Sequence, residues 1–284
     1  MGCLICSAVL YGLPFLYAAV VLAWKNSPRA KALIKFSLYA VLSVVAATLP
    51  IPLMLLRPKS SKNALFPAAC LRVFARYVLG VEFTVKGKEH IAKDTGCVIV
   101  INHQSVVDLI VLAELWPIID RCTVISKKEI FYIWPFGLAA WLWGTIYIDR
   151  LNGARAKDSI NNTGTLIRER KHRVLMFPEG TRSLKDQLLP FKKGAFHLAV
   201  ASQCPIQPVV VEKYHFLGKH RFDSGRIDIE ILPVIPTEGL SSENLPEVID
   251  KTYRIMQDQL DLMSSKHDAC APNNNVVNSK HALD

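Results

Sequence analysis

Cys97-Val98-Ile99-Val100-Ile101 runs directly into Asn102-His103-Gln104-Ser105-Val106-Val107-Asp108, and Leu109-Ile110-Val111-Leu112 follows. The first run is apolar throughout and mostly β-branched, which fits a short strand buried on both faces. The last run reads as the opening of a helix. The strand thus ends on a histidine, and a carboxylate stands five residues later in the first helical turn. That carboxylate has two readings, and they are compatible. Ser105-x-x-Asp108 ahead of an apolar run has the form of a helix N-terminal capping box, with Asp in place of Glu. A carboxylate in that turn also lies where the strand delivers His103. There it can orient the imidazole and stabilise its protonated form, which makes His103 a general base.

The same grammar repeats outward in both directions. Strands are expected at Val81–Lys86, Cys97–Ile101, Cys122–Ile125, Thr145–Ile148, Val174–Phe177, Ile206–Val211 and Ile227–Leu232. Helices are expected over Ser105–Leu115, Ile130–Trp143, Ala154–Lys171, Gly194–Ala201 and Glu243–Met263. The alternation predicts an α/β domain with a largely parallel sheet flanked by helices. Polar clusters follow four of the strands: Asn102-His103, Ser126-Lys127-Lys128-Glu129, Asp149-Arg150 and Pro178-Glu179-Gly180-Thr181-Arg182-Ser183. In parallel strands these would open on one edge, where open α/β sheets bind ligands. Each cation alone reads as a solvated surface charge. Lys127, Lys128, Arg150 and Arg182 at successive strand ends read together as a phosphate site, with arginine offering a bidentate fork and lysine a point charge. Glu179-Gly180-Thr181 supplies a turn, close backbone approach and a hydroxyl. Neither a Walker A loop nor a Gly-x-Ser-x-Gly elbow occurs; Phe191-Lys192-Lys193-Gly194 is not the former. NTPases and common serine hydrolases are thereby disfavoured.

The 284 residues are 51% hydrophobic with a formal net charge of +10, and mean hydropathy is +0.23. So apolar and basic a chain favours lipid and phosphorylated small molecules over nucleic acid. The basic residues are not interleaved with aromatic stacking groups, so no nucleic acid is expected as a partner. Seven scattered cysteines form neither a disulfide framework nor a zinc pattern, and no metal site is expected. Leu4–Trp24 and Phe36–Leu56 each lack charge over a length that crosses a bilayer. Residues 1–62 are therefore expected as a two-helix membrane anchor, 63–263 as the α/β domain and 264–284 as a disordered tail. Basic clusters Lys25–Lys35 and Arg57–Lys62 flank the second run. They satisfy the positive-inside rule together only if the pair enters one leaflet as a hairpin, and full spanning is the competing arrangement. Ile130–Trp143, with three of the five tryptophans, is too short to cross and reads as a core helix or as a surface meeting lipid.

Together the motifs resemble the glycerolipid acyltransferase family, and within it the 1-acylglycerol-3-phosphate (lysophosphatidic acid) acyltransferases. Asn102, His103 and Asp108 match the family's Asn-His-x-x-x-x-Asp. Lys127, Glu129, Pro135, Gly137 and Asp149-Arg150 are similar to its second motif, loosely at the glycine. Phe177 to Ser183 match Phe-Pro-Glu-Gly-Thr-Arg-Ser in full. Ile206-Gln207-Pro208-Val209-Val210 resembles the fourth motif, and Leu189–Phe196 is similar to the animal-type branch. The resemblance implies a membrane enzyme of the endoplasmic reticulum that moves an acyl group from acyl-CoA to the sn-2 hydroxyl of lysophosphatidic acid. It implies His103 as base with Asp108 holding it, Lys127, Arg150 and Arg182 on the acceptor phosphate, and Glu179, Gly180 and Thr181 shaping the glycerol site. Acyl-CoA would be a co-substrate, with no cofactor, because a thioester is already activated. The motifs equally fit acylation of another lysophospholipid or of glycerol 3-phosphate. A non-catalytic adaptor for anionic lipid is the reading from another class.

Overall fold

The computed structural model describes residues 21, 22, 24–148 and 163–270, with side chains through 266. Most of the first apolar run, Asp149-Arg150, the first half of the helix expected from Ala154, and the residues after 270 lie outside the described residues. Seven strands form one sheet in the order β1-β9-β6-β2-β5-β3-β4. Their bounds are β1 Val81–Lys86, β2 Cys97–Ile101, β3 Cys122–Lys127, β4 Ile146–Ile148, β5 Arg173–Met176, β6 Ile206–Val211 and β9 Gly225–Ile231. Strands β6, β2, β5, β3 and β4 run parallel. The reversal at one edge has a local cause. Between β6 and β9 the chain makes no crossover helix, only the small hairpin β7 (Leu217–Gly218) and β8 (Arg221–Phe222), so β9 returns antiparallel to β6. Strand β1 then pairs parallel with β9.

Strand β2 sits at the centre, and its side chains divide with the period of the pleat. Cys97, Ile99 and Ile101 join the apolar core on one face, and Val98 and Val100 join the core on the other. The first face is covered by α1 (Pro28–Thr48), α2 (Leu65–Phe74), α3 (Asp108–Ile119) and α4 (Phe136–Leu142). The second is covered by helical residues 163–170, α5 (Gly194–Ala201) and α6 (Leu245–Cys270). Helix α6 continues past the expected start of the tail at Ser264.

Two expected segments change shape. Ile130–Trp143 is not one helix. A 3₁₀ turn over Lys128–Tyr132 gives way at Pro135 to α4. Proline lacks the N–H a continuing helix needs and pushes its preceding residue out of the helical region. Gly137 is required there, since a Cβ would lie 2.0 Å from the Phe131 carbonyl oxygen. The basic segment Lys25–Lys35, expected as a flank of the second apolar run, is instead largely built into a helix. Ser27 caps α1 by accepting from the Ala30 N–H (3.2 Å), and Pro28 takes the first helical position. Lys31 pairs with Asp223 at 3.5 Å, and the buried Lys35 donates to the Leu79 carbonyl at 2.5 Å. Farther along, Tyr39 donates to the Val106 carbonyl at 2.7 Å. The following helical turn, Ile51–Met54, rests on α4. The helix thus lies along the body of the protein over most of its length. Among the described residues, Pro28–Met54 is the one helical stretch long and apolar enough to cross a membrane.

Candidate active site

The parallel strands deliver the expected polar groups to one cavity of about 310 Å³ at their carboxyl ends. His103 and Asp108 follow β2, Lys127 ends β3, and Gly180 and Arg182 follow β5; all five line it. Thr181 is exposed and lies outside the lining, and Arg150 falls outside the described residues. The remainder of the wall is mostly apolar. Leu71 from α2, Leu109, Leu112 and Trp116 from α3, and Phe136 and Trp143 at the two ends of α4 make most of it. The indole N–H of Trp116 donates to Ser61 O (3.0 Å) and that of Trp143 to Thr145 Oγ1 (2.9 Å), so both rings have their polar atom satisfied.

His103 Nδ1 stands 2.6 Å from Asp108 Oδ2. The same carboxylate accepts from the N–H of Gln104 (2.9 Å, Oδ2) and of Ser105 (3.0 Å, Oδ1), and from the Tyr214 hydroxyl (2.7 Å, Oδ1). Three donors besides the imidazole already point at the Asp108 oxygens, so the carboxylate faces His103 as an acceptor. Nδ1 must then carry the proton, which leaves Nε2 as the acceptor. The helix begins at Asp108 itself, with Val107 in the capping position. Ser105 is not the cap. The half of the box that survives is the acidic half, in which Asp108 binds the loop's backbone, so one side chain both starts the helix and orients the histidine.

The loop after β5 clamps the histidine from the other side. Glu179 is buried, and its Oε1 accepts from the His103 N–H (2.8 Å) while Oε2 accepts from Leu189 N–H (2.9 Å). Both oxygens are spent on main chain, so the structure places Glu179 behind the histidine rather than on the cavity wall. The Ser183 N–H donates to the His103 carbonyl (2.9 Å), and the Phe177 ring stacks on the imidazole with centroids 4.0 Å apart. Gly180 adopts φ +68°, a left-handed conformation that only glycine takes cheaply, and the Lys192 side chain folds over it. On the β6 side, Asn102 bonds both the N–H (2.8 Å) and the carbonyl (2.9 Å) of Val211. Gln104 donates to the carbonyls of Val211 and Glu212.

Three contributors have roles that the sequence did not announce. Tyr214 is separated from Asp108 by 106 positions, and nothing local announces the pairing. Phe177 is part of a recognisable motif, but its stacking role depends on where β2 ends. Lys213 is buried beside the site; burial pulls its amine below the ordinary lysine range, and the carboxylates of Glu179, Asp186 and Asp108 push it back up. Among the described residues, no group of three or more His, Cys, Asp and Glu side chains is placed to hold a metal ion.

A family model described as Acyltransferase matches residues 82–212, from β1 through the end of β6. The human 1-acyl-sn-glycerol-3-phosphate acyltransferase alpha is 36% identical over 236 residues, covering 82% of this chain and 82% of that protein. The Saccharomyces cerevisiae 1-acyl-sn-glycerol-3-phosphate acyltransferase is 36% identical over 198 residues, covering 68% and 64%. Among solved structures, the 1-acyl-sn-glycerophosphate (LPA) acyltransferase PlsC from Thermotoga maritima superposes with a TM-score of 0.61 at 22% identity, covering 82% of this chain and 97% of its own, a likeness of fold. A histidine–carboxylate pair on the right strand end, inside a chain so similar to these relatives over most of its length, leaves one conclusion: the chain belongs to the glycerolipid acyltransferase family, with the 1-acylglycerol-3-phosphate acyltransferases.

Proposed function

We propose that this protein transfers a fatty acyl group from acyl-CoA to the sn-2 hydroxyl of 1-acyl-glycerol-3-phosphate, giving phosphatidic acid and CoA, at the surface of a membrane. The observation that carries the reading is a single cavity holding the His103–Asp108 pair, two cations and a long apolar wall. His103 Nε2 takes the proton of the attacking hydroxyl as its oxygen adds to the thioester carbonyl carbon. Collapse breaks the C–S bond, and the departing CoA sulfur takes the proton back from the imidazolium. Asp108 stabilises that imidazolium, and Phe177 keeps the ring in plane. Arg182 and Lys127 hold the acceptor's phosphate, with Arg150 assisting, while the apolar wall takes acyl chain. Gly180 lets the backbone approach the glycerol. No metal and no acyl-enzyme enters the scheme, since the thioester is activated at the outset.

The membrane part of the reading rests on exposed apolar side chains. Leu49, Leu53 and Phe66 share one groove. Leu56 is 78% exposed, and Tyr132, Ile133 and Trp134 protrude just ahead of α4, against which Ile51–Met54 rests. Because α1 stays against the body from Lys31 onward, it supports seating in one leaflet rather than a crossing. The endoplasmic reticulum is the compartment proposed from the family. The deciding assay measures CoA release by purified protein from acyl-CoA with 1-acyl-glycerol-3-phosphate, 1-acyl-glycerophosphocholine or glycerol 3-phosphate. Release should be fastest with the first. Preference for another acceptor would reassign the substrate, and release with none would reject the enzyme reading.

A further inference from the structure

We propose that Tyr214 is a positioning residue for the transfer, holding the Asp108 carboxylate in register with His103 from outside the catalytic loop. The inference rests on the reading of His103 as the base and extends it by one residue. Its starting point is where the donors to Asp108 come from. Gln104 and Ser105 belong to the same short loop as His103 and move with it. Tyr214 belongs to the segment after β6, the edge that also holds Asn102 and Gln104 by direct hydrogen bonds. Its hydroxyl therefore fixes the carboxylate to the sheet. A buried phenol needs some partner, and a backbone carbonyl would have sufficed. Here the partner is the oxygen opposite the one that faces the imidazole.

The arrangement has a mechanical consequence. As His103 gains a proton, the pull between imidazolium and Asp108 Oδ2 grows, and the carboxylate is drawn to turn about its own bond. A charge-assisted bond of 2.7 Å on Oδ1 resists that turn. Burial, followed by the charge of Asp108, holds the Tyr214 hydroxyl well above the ordinary phenol range, so it remains a donor at every working pH. Tyr214 is 4% exposed and does not line the cavity, and its ring packs beside Phe216 at a centroid distance of 5.9 Å. It acts through Asp108 and touches no substrate.

Tyr214→Phe removes the hydroxyl and keeps the ring. In the purified full-length protein, kcat should fall on the order of 10-fold, with the KM of each substrate within about twofold of the parent. The same change made in Asp108→Asn should cost less than about twofold of the residual turnover, because the group it acts through is already impaired. Unchanged kcat in Tyr214→Phe overturns the proposal, as does a matched rise in KM or an equal loss in the Asp108→Asn background. A lowered melting temperature with kcat intact also overturns it, since that is what packing alone would give. His103→Ala tests the underlying reading separately. If it keeps substantial turnover, the base assignment fails whatever Tyr214 does.

Discussion

The catalytic side of the cavity and the exposed apolar surface of the protein are held in opposite ways. At the strand ends, the groups that hold the base in place have fixed partners. The His103 main chain is bound through both its N–H and its carbonyl, and the Asp108 carboxylate accepts four hydrogen bonds. On the apolar surface, Leu53, Leu56 and Trp134 project with more than two thirds of their surface exposed. A proton transfer gains from groups held in place before the substrate arrives. A surface that meets lipid gains nothing from internal bonds, because the bilayer supplies its contacts. Catalysis and docking should therefore fail independently.

The most severe break is His103→Ala. Turnover should fall about 10³-fold or more, within the range removed with a general base, while sedimentation with phospholipid vesicles stays as in the parent. A turnover above a tenth of the parent's would remove the base. Next is Arg182→Lys, which replaces a planar fork with a point charge. The acceptor KM should rise about 10-fold, with the acyl-CoA KM within about twofold; equal rises would place Arg182 at the donor. The opposite region is tested by the combined variant Leu53→Ser, Leu56→Ser and Trp134→Ser. Vesicle partitioning should weaken about 10-fold or more, equivalent to roughly 1.4 kcal/mol, while kcat on detergent-dispersed substrate changes less than about twofold. If kcat falls in step, the two regions are coupled after all. The smallest effect concerns the buried thiols. Burial pushes Cys97 and Cys204 up to about 12 and Cys122 higher still. At neutral pH they are protonated as well as enclosed. Iodoacetamide on the folded protein should leave all three unmodified by mass spectrometry and label them after denaturation.

The contrast also explains what could be read in advance. Strands β2 and β6 have the bounds expected from apolar runs, because burial on both faces marks a strand independently of its neighbours, and β1, at the sheet edge, has the bounds expected from its alternation. Direction is another matter. Nothing in the run from Gly225 to Ile231 says that β9 returns antiparallel; that follows from a hairpin whose strands are two residues each, too short for any alternation. The site residues at strand ends were legible because a polar cluster after an apolar run is a local signal. Glu179 stood in such a cluster, yet residue type does not reveal which way a side chain turns, and its carboxylate turned inward to main chain. Lys31 and Lys35 read as part of a basic flank of the second apolar run, and only the fold sets Asp223 and the Leu79 carbonyl against them. Tyr214 required the whole sheet to be assembled first.

The grip on Asn102 bears on how long such an enzyme remains chemically intact. An asparagine side chain is lost with age when the backbone nitrogen of the next residue attacks its amide carbon and ammonia departs. At this position the next nitrogen is that of His103, and its N–H is already donated to Glu179. The amide is pinned from both sides by Val211. Neither partner is free to approach the other. The bonds that keep the histidine in place thus also shield its neighbour from deamidation, whose product, a carboxylate facing the Val211 carbonyl, would pry the loop from the sheet.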